Sequence, residues 1–314
     1  MRAIDHNAIT DAVIEQMSGT ADPRLKQIME SLVRYLHEFA REVALTPEEW
    51  LEGIKFPTAV GHRCTPFRQE LILLSDTLGF SSLINALHDR RAMGEGTKTS
   101  LLGPFYRQDS PLMQLGDCIV QSPRQQILIY GRVTDVRGKG IPHASIEIWQ
   151  TDEDGMYDLQ RETAAPADVP GMDNRGRFRT DSKGNYYMRT VLPLGYMIPM
   201  EGPVGDMIRA QRRHGYRPSH IHFLVGAQGY RELVTALYSQ DDEHLESDTV
   251  FGVTDSLVVK VQQDDPNAPM IGFPSIHFDF TLAAADQDGA GRVGADPSQI
   301  TKAGVTELAE PQSR

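Results

Sequence analysis

The segment Tyr216-Arg217-Pro218-Ser219-His220-Ile221-His222-Phe223-Leu224-Val225 decides how the rest of the chain is read. Pro218 has no N–H to give to a ladder interior and marks a strand start. From His220 onward the residues alternate, with Ile221 and Phe223 on one face and His220 and His222 on the other. Two imidazoles two residues apart on a strand lie about 6.6 Å apart at Cα and lean the same way, so one metal ion fits between them. The same pair suits a buried, hydrogen-bonded histidine beside a partly exposed one, and the remaining ligands must decide.

Around this strand the chain reads as all-β. From Leu101-Leu102-Gly103-Pro104-Phe105-Tyr106 onward, short alternating runs are separated by Gly and Asp turns, the signature of a sandwich or barrel. Strands are predicted at 126–134, 144–150, 177–180, 185–191, 220–225, 233–238, 257–261 and 276–282. Asp181-Ser182-Lys183-Gly184 reads as the turn of a hairpin between the third and fourth. Two long segments, 151–176 and 193–215, read as irregular, and long loops in a compact β domain are more often functional than accidental.

Residues 1–105 read as helical. Leu25, Ile28, Leu32, Leu36, Phe39 and Val43 form an amphipathic stripe behind an Asp22-Pro23 cap. Thr46-Pro47-Glu48-Glu49 opens a second helix with a capping box. Thr65-Pro66 opens a third, carrying Leu71, Leu74 and Leu78 up to a stop at Gly79, and a fourth runs from Ser81 to about Arg91. The expected organisation is therefore a mainly β protein with a helical N-terminal part: helices over 1–105, a β-sandwich catalytic domain over 106–284, and a mobile Gly-, Ala-, Asp- and Gln-rich tail over 285–314. There is no internal repeat.

Composition sets outer bounds. With 314 residues, 40% apolar and 24% charged, the chain is ordinary for a soluble globular protein. A formal charge of −12 and no basic run argue against nucleic acid or an anionic membrane as partner. Cys64 and Cys118 form no metal spacing, the N-terminus lacks an apolar signal core, and no run reaches the length of a membrane span. The expectation is a cytoplasmic protein.

Several side chains could join His220 and His222. His214 lies in the polar run Arg212-Arg213-His214 and reads as solvated surface. Asp152, Glu153, Asp154 and Asp158 leave open a facial set of two histidines and one carboxylate holding Fe(II) or Zn. Tyr157, in Asp154-Gly155-Met156-Tyr157-Asp158, and Tyr196, in Leu194-Gly195-Tyr196, each suit simple packing when taken alone.

Together with Arg217-Pro218-x-His220-x-His222, the order Tyr, Tyr, His-x-His resembles the intradiol ring-cleaving dioxygenases, over nearly the whole stretch from Leu71 to about Leu282. That resemblance implies one non-haem Fe(III) per subunit, held by Tyr157, Tyr196, His220 and His222. It implies that Tyr196 also receives a proton from the diol, that Arg217 stabilises charge on the ring, and that O2 splits the bond between the two hydroxyl-bearing carbons. The ligand set is chemically apt, since a phenol with a pKa near 10 ionises at neutral pH only against a strong Lewis acid.

Within the family the chain looks most similar to the hydroxyquinol branch, whose substrate is benzene-1,2,4-triol and whose product is 3-hydroxy-cis,cis-muconate, the enol form of maleylacetate. Leu73 and Asp76 in Leu73-Leu74-Ser75-Asp76-Thr77-Leu78-Gly79 carry this, Asp76 being placed to accept from a third ring hydroxyl. The resemblance also assigns Leu102, Gly103, Pro104, Phe105, Ile198, Pro199 and Val250 to the substrate pocket. Ala236 stands where the family commonly has a polar residue, which leaves catechol or a chlorinated catechol as alternative substrates. The N-terminal helices are expected to form a homodimer and to have room for a lipid-like ligand. A non-enzymatic β-sandwich binding module is the competing class; it has only Trp50 and Trp149 to offer as aromatic platforms.

Overall fold

The computed structural model describes residues 5–285 except 7, 66–67, 92–95, 122 and 162–170. The expected tail beyond Ala285 lies outside the described residues, as does Pro66; the helix expected to open at Thr65 begins at Glu70 instead, because Thr65 bridges Arg68. Contacts divide the chain into two compact units, the first ending at Ala59 and the second beginning at Val60.

The first unit holds α1 (Ile9–Gln16), α2 (Pro23–Glu42) and most of α3 (Pro47–His62). The caps read from the sequence are present. Asp22 accepts from the backbone N–H of Arg24 and Leu25 at 2.8 and 3.2 Å. Thr46 and Glu49 satisfy each other's backbone N–H at 2.9 and 3.2 Å. α1 adds to the expected helices; eight residues are too few to display a repeat. It is tied down by the buried Thr10, whose hydroxyl meets Arg41 at 2.6 Å and His37 at 3.0 Å. No residue of α2 is buried, and its stripe is open, with Leu32 54% and Leu36 59% exposed.

The second unit carries α4 (Glu70–Thr77) and α5 (Phe80–Arg91), broken by Gly79 at φ +71, and then the sheets. These are built from β1 (Gln126–Asp135), β2 (Ser145–Gln150), β3 (Arg175–Arg179), β4 (Asn185–Val191), β5 (Tyr196–Met197), α6 (Pro203–Ala210), β6 (Tyr216–Arg217), β7 (His220–Gly226), β8 (Leu233–Ser239), β9 (Val258–Val259), β10 (Ser275–His277) and β11 (Phe280–Leu282). One sheet runs β3-β2-β7-β8-β9. The other is centred on β1, with β4 antiparallel to it and β10 and β11 parallel. The core includes Ile127, Ile129 and Met188 from one sheet and Ile146, Ile148, Ile221 and Phe223 from the other. Each such side chain contributes roughly 1.5–3 kcal/mol by burial. The fold is mainly β, a sandwich preceded by helices.

Three expectations need correction. The runs flanking Asp181–Gly184 do not pair as a hairpin: β3 joins β2 and β4 joins β1, so the turn carries the chain from one sheet to the other. Asp181 shapes that corner by accepting from the N–H of Lys183 and Asn185, both at 2.8 Å, which makes a tight turn without committing its flanks to one ladder. The single strand expected over 276–282 is two, because the Phe278 carbonyl presses against Gly131, where an added Cβ would sit 1.8 Å from it. The segment 193–215 is not irregular but holds β5 and α6. Cys64 and Cys118 are both free, and no single helix among the described residues is long and apolar enough to cross a membrane.

Candidate functional site

β7 is the axis of the site. Its ladders to β2 and β8 fix the register, with His222 opposite Trp149 on one side and Ala236 on the other, and His220 opposite Tyr238. The Trp149 indole stacks flat on His222, with centroids 4.9 Å apart and 2° between planes. His220 is oriented by its own turn: Nδ1–H donates to the Pro218 carbonyl at 2.6 Å, which leaves the Nε2 lone pair facing inward.

The two tyrosines arrive on separate segments. Tyr157 follows Gly155, at φ +77, and opens a single 3-10 turn in which its N–H donates to Gln160 at 2.8 Å. Asp158 anchors that turn. Its fully buried carboxylate takes two hydrogen bonds from Arg175, one of them at 2.8 Å from Nε, and one from Arg107 at 2.9 Å. Arg175 also donates to the Phe105 carbonyl at 3.2 Å, and the Phe105 ring stacks on Tyr157 at 4.2 Å. Tyr196 sits on β5 directly opposite Arg217 on β6. Gly195 permits this close approach, since a Cβ there would lie 2.7 Å from the Arg217 carbonyl.

These elements bring all four expected ligands together in one buried place. The Tyr157 hydroxyl is 3.4 Å from His220 Nε2. Ring centroids are 4.7 Å apart for His220 and His222, 5.6 Å for Tyr157 and Tyr196, 5.7 Å for Tyr196 and His220, and 6.5 Å for Tyr157 and His222. Arg217 Nη1 donates to His220 Nε2 at 3.0 Å, while Nε pairs with Asp248 at 3.2 Å.

The electrostatics describe what this pocket accepts. Burial, then the Arg217 charge, hold both imidazoles well below their ordinary value, so each is neutral and keeps one nitrogen lone pair. Burial, reinforced by Tyr196, holds the Tyr157 phenol well above its ordinary value of 10.0. For Arg217, burial alone would lower the value, but Asp248 and the surrounding phenols more than offset it and keep the guanidinium charged. Two hard phenol oxygens and two neutral imidazole nitrogens suit a small, highly charged cation such as Fe(III). The His220 lone pair already accepts from a cation, the Arg217 guanidinium. Among the described residues no three His, Cys, Asp or Glu side chains stand close enough to hold a metal, so Asp152, Glu153, Asp154 and Asp158 do not complete a facial set with the histidines.

A cleft of about 230 Å³ opens beside this cluster. Leu73, Pro104, Phe105 and Pro199 line it as expected, along with Arg68, Gln69, Glu70, Gln160 and Glu201. Gly103 packs against His222, where an added Cβ would be 3.5 Å from the ring. Asp76 is buried at the end of α4, within electrostatic reach of Arg217 and Asp248. Ile198 and Val250 are buried and Leu102 is partly so, but none of the three lines the cleft. Arg213 donates to the carbonyls of Thr77 and Thr249 at 2.9 and 2.7 Å, fastening the Asp76 helix to the Asp248 segment. Sequence reasoning did not reach Arg107, Arg175, Trp149 or Asp248 as parts of the site. Arg175 opens β3 at a position the sequence reads as irregular, and Arg107 lies in a loop, so no periodic signal marks either as buried.

Residues 103–284 match the family profile described as Dioxygenase, and residues 22–96 match Catechol dioxygenase N terminus. The chain belongs to the intradiol ring-cleavage dioxygenases. It is 41% identical to 6-chlorohydroxyquinol 1,2-dioxygenase of Cupriavidus pinatubonensis, over 90% of this chain and 99% of that one. It is 40% identical to hydroxyquinol 1,2-dioxygenase of a Rhizobium species, over 87% and 94%. The crystal structure of hydroxyquinol 1,2-dioxygenase from Pseudomonas putida DLL-E4 matches with TM-score 0.80 at 41% identity, covering 89% of this chain and 99% of that chain. Catechol 1,2-dioxygenase from Acinetobacter sp. ADP1 matches with TM-score 0.75 at 26% identity, covering 95% and 99%. This intradiol dioxygenase therefore acts on an aromatic ring, and enzymes of the family use non-haem iron.

Proposed function

We propose that this enzyme is a Fe(III)-dependent hydroxyquinol 1,2-dioxygenase, opening benzene-1,2,4-triol with O2 to 3-hydroxy-cis,cis-muconate. Asp76 carries the choice of substrate: a buried carboxyl beside the site, near the charged Arg217, is suited to the hydroxyl that a triol has and catechol lacks. Similarity to several hydroxyquinol 1,2-dioxygenases at about 40% identity supports it.

Tyr157, Tyr196, His220 and His222 would hold the iron. When bound, ferric iron would supply the Lewis acidity that activates the diol ring toward O2. The chain's own groups do the rest. Tyr196 Oη receives a proton as the diol ionises. Arg217, held charged by Asp248, stabilises negative charge that develops on the ring. Phe105, Pro104, Pro199 and Leu73 give the cleft the apolar surface against which an aromatic ring would pack. The net reaction places both oxygen atoms of O2 in the ring-opened product.

Steady-state oxygen uptake with hydroxyquinol, catechol and chlorinated analogues tests this. Hydroxyquinol should exceed catechol in kcat/KM by about 10²-fold or more, because a site built to bond a hydroxyl rejects the analogue without it. Asp76→Leu should remove most of that ratio. Equal native rates on catechol and hydroxyquinol would make the enzyme a catechol dioxygenase, and no uptake with any diol would contradict the reading outright.

The open stripe of α2 supports a homodimer through the N-terminal helices, with room for a lipid-like ligand. Such a dimer would sediment at twice the chain mass, and Leu32→Glu with Leu36→Glu would return it to the mass of one chain. Two free thiols are consistent with a cytoplasmic location.

A further inference from the structure

Arg217 is the only cation bonded directly to an expected iron ligand among the described contacts, and its five N–H groups must be aimed by something. Asp248 accounts for part of this, meeting Nε at 3.2 Å and Nη2 at 3.5 Å. Nη2 has a second partner, the buried hydroxyl of Tyr238, also at 3.5 Å. Tyr238 lies on β8 directly opposite His220. Its hydroxyl is 2.8 Å from Ser100 Oγ, which in turn donates to the Gly252 carbonyl at 3.1 Å.

The direction of this chain follows from its ends. A guanidinium can only donate and a carbonyl can only accept. The arrangement that satisfies every member runs Arg217 Nη2–H to Tyr238 Oη, Tyr238 O–H to Ser100 Oγ, and Ser100 O–H to Gly252 O. Gly252 leaves the space in which it assembles: an added Cβ would lie 2.6 Å from Tyr238 Oη and 3.2 Å from both Arg217 Nη2 and Asp248 Oδ2. The Gly252 N–H donates to the same Asp248 oxygen at 2.9 Å, so one residue supports the carboxylate through its nitrogen and receives the hydroxyl chain through its carbonyl oxygen. With Nε and Nη2 occupied, Nη1 is the nitrogen turned toward His220.

We propose that Tyr238 is a positioning residue for ring cleavage, its hydroxyl working with Ser100 and Gly252 to hold Arg217 so that Nη1 faces the reacting ring. This rests on the proposed role of Arg217. Tyr238→Phe keeps the ring that packs against His220 at 5.6 Å and removes only the hydroxyl. Steady-state kinetics with hydroxyquinol on iron-loaded protein should show kcat lower by about tenfold, with KM changed less than about twofold. Iron content and visible absorption should stay native. In an Arg217→Lys background, whose ammonium lacks the fork, Tyr238→Phe should cost less than about twofold more. Ser100→Ala, which leaves Tyr238 intact but takes its acceptor, should lower kcat in the same direction by a smaller factor.

Native rates in both Tyr238→Phe and Ser100→Ala, with an active native enzyme, would overturn the positioning role and leave the proposed function standing. A full tenfold loss in the Arg217→Lys background would overturn it too, because the hydroxyl would then act independently of Arg217. Loss of iron from Tyr238→Phe would assign the hydroxyl to the ligands instead. A native enzyme that holds iron but cleaves no diol would overturn the function and this inference together.

Discussion

The paired imidazoles and the paired phenols reach the same point by different means. His220 and His222 stand on one strand, and the ladders to β2 and β8 place both through backbone hydrogen bonds. Tyr157 and Tyr196 come from segments far apart in sequence, each placed by contacts that only tertiary structure supplies. For Tyr157 these are the Asp158, Arg175 and Arg107 ion pairs; for Tyr196, the short β5–β6 pairing. A ladder is robust to single side-chain changes, whereas a position resting on a buried ion pair depends on every member of it.

The largest effects should come from the phenols themselves. Tyr157→Phe should lose most of the iron and essentially all turnover, measured by metal analysis and oxygen uptake. Tyr196→Phe should retain part of the iron yet lower kcat by about 10²- to 10⁴-fold, the range expected for losing a proton acceptor. Full iron and full rate in Tyr157→Phe would remove the phenol side of the comparison.

Asp158→Asn comes next and sharpens the difference between loop and strand. It leaves Arg175 buried against a neutral group, and breaking such a pair costs about 3–5 kcal/mol, to be read from denaturant unfolding. The visible absorption of the iron-loaded protein should weaken as the Tyr157 turn loosens, with the His220–His222 strand intact. An unchanged spectrum would show that the ion pairs stabilise the fold without placing the phenol.

The smallest effect concerns Asp76. Burial raises its carboxyl above the ordinary 3.8, so the folded chain binds that proton more tightly than the unfolded chain. The resulting stabilisation is complete below about pH 4 and is lost as pH rises through the folded value. Asp76→Asn should therefore melt higher than native at pH 7, by roughly a few degrees, and match it near pH 4. A native protein more stable than Asp76→Asn at pH 7 would mean the carboxylate is better paired than its burial implies.

The same contrast explains what the sequence disclosed. The β7 strand was legible because alternation and one proline determine its face and start. The helix caps at Asp22 and Thr46 were legible because capping is local. The β3–β4 connection is not legible, since a turn with hairpin chemistry does not say which ladder its flanks will join. The sequence of residues 203–210 does not show its helix although Gly202-Pro203 opens one, because a single short helix in a β-rich chain offers too few turns to show its period. At the site, the tyrosines were reached through family resemblance and not through spacing. Asp158 stands out in the sequence only as one of four candidate carboxylate ligands, not as the anchor of the Tyr157 turn, and nothing in the sequence marks Arg175 or Tyr238, since their partners are set by tertiary contacts.

The central claim is that two phenols and two imidazoles share one ferric ion, and the visible absorption spectrum of purified, iron-loaded protein tests it most directly. The expected result is a wine-red solution, from phenolate-to-iron charge transfer, with one iron per chain and a band that changes in Tyr196→Phe and disappears in Tyr157→Phe. A fully iron-loaded, colourless protein would contradict it.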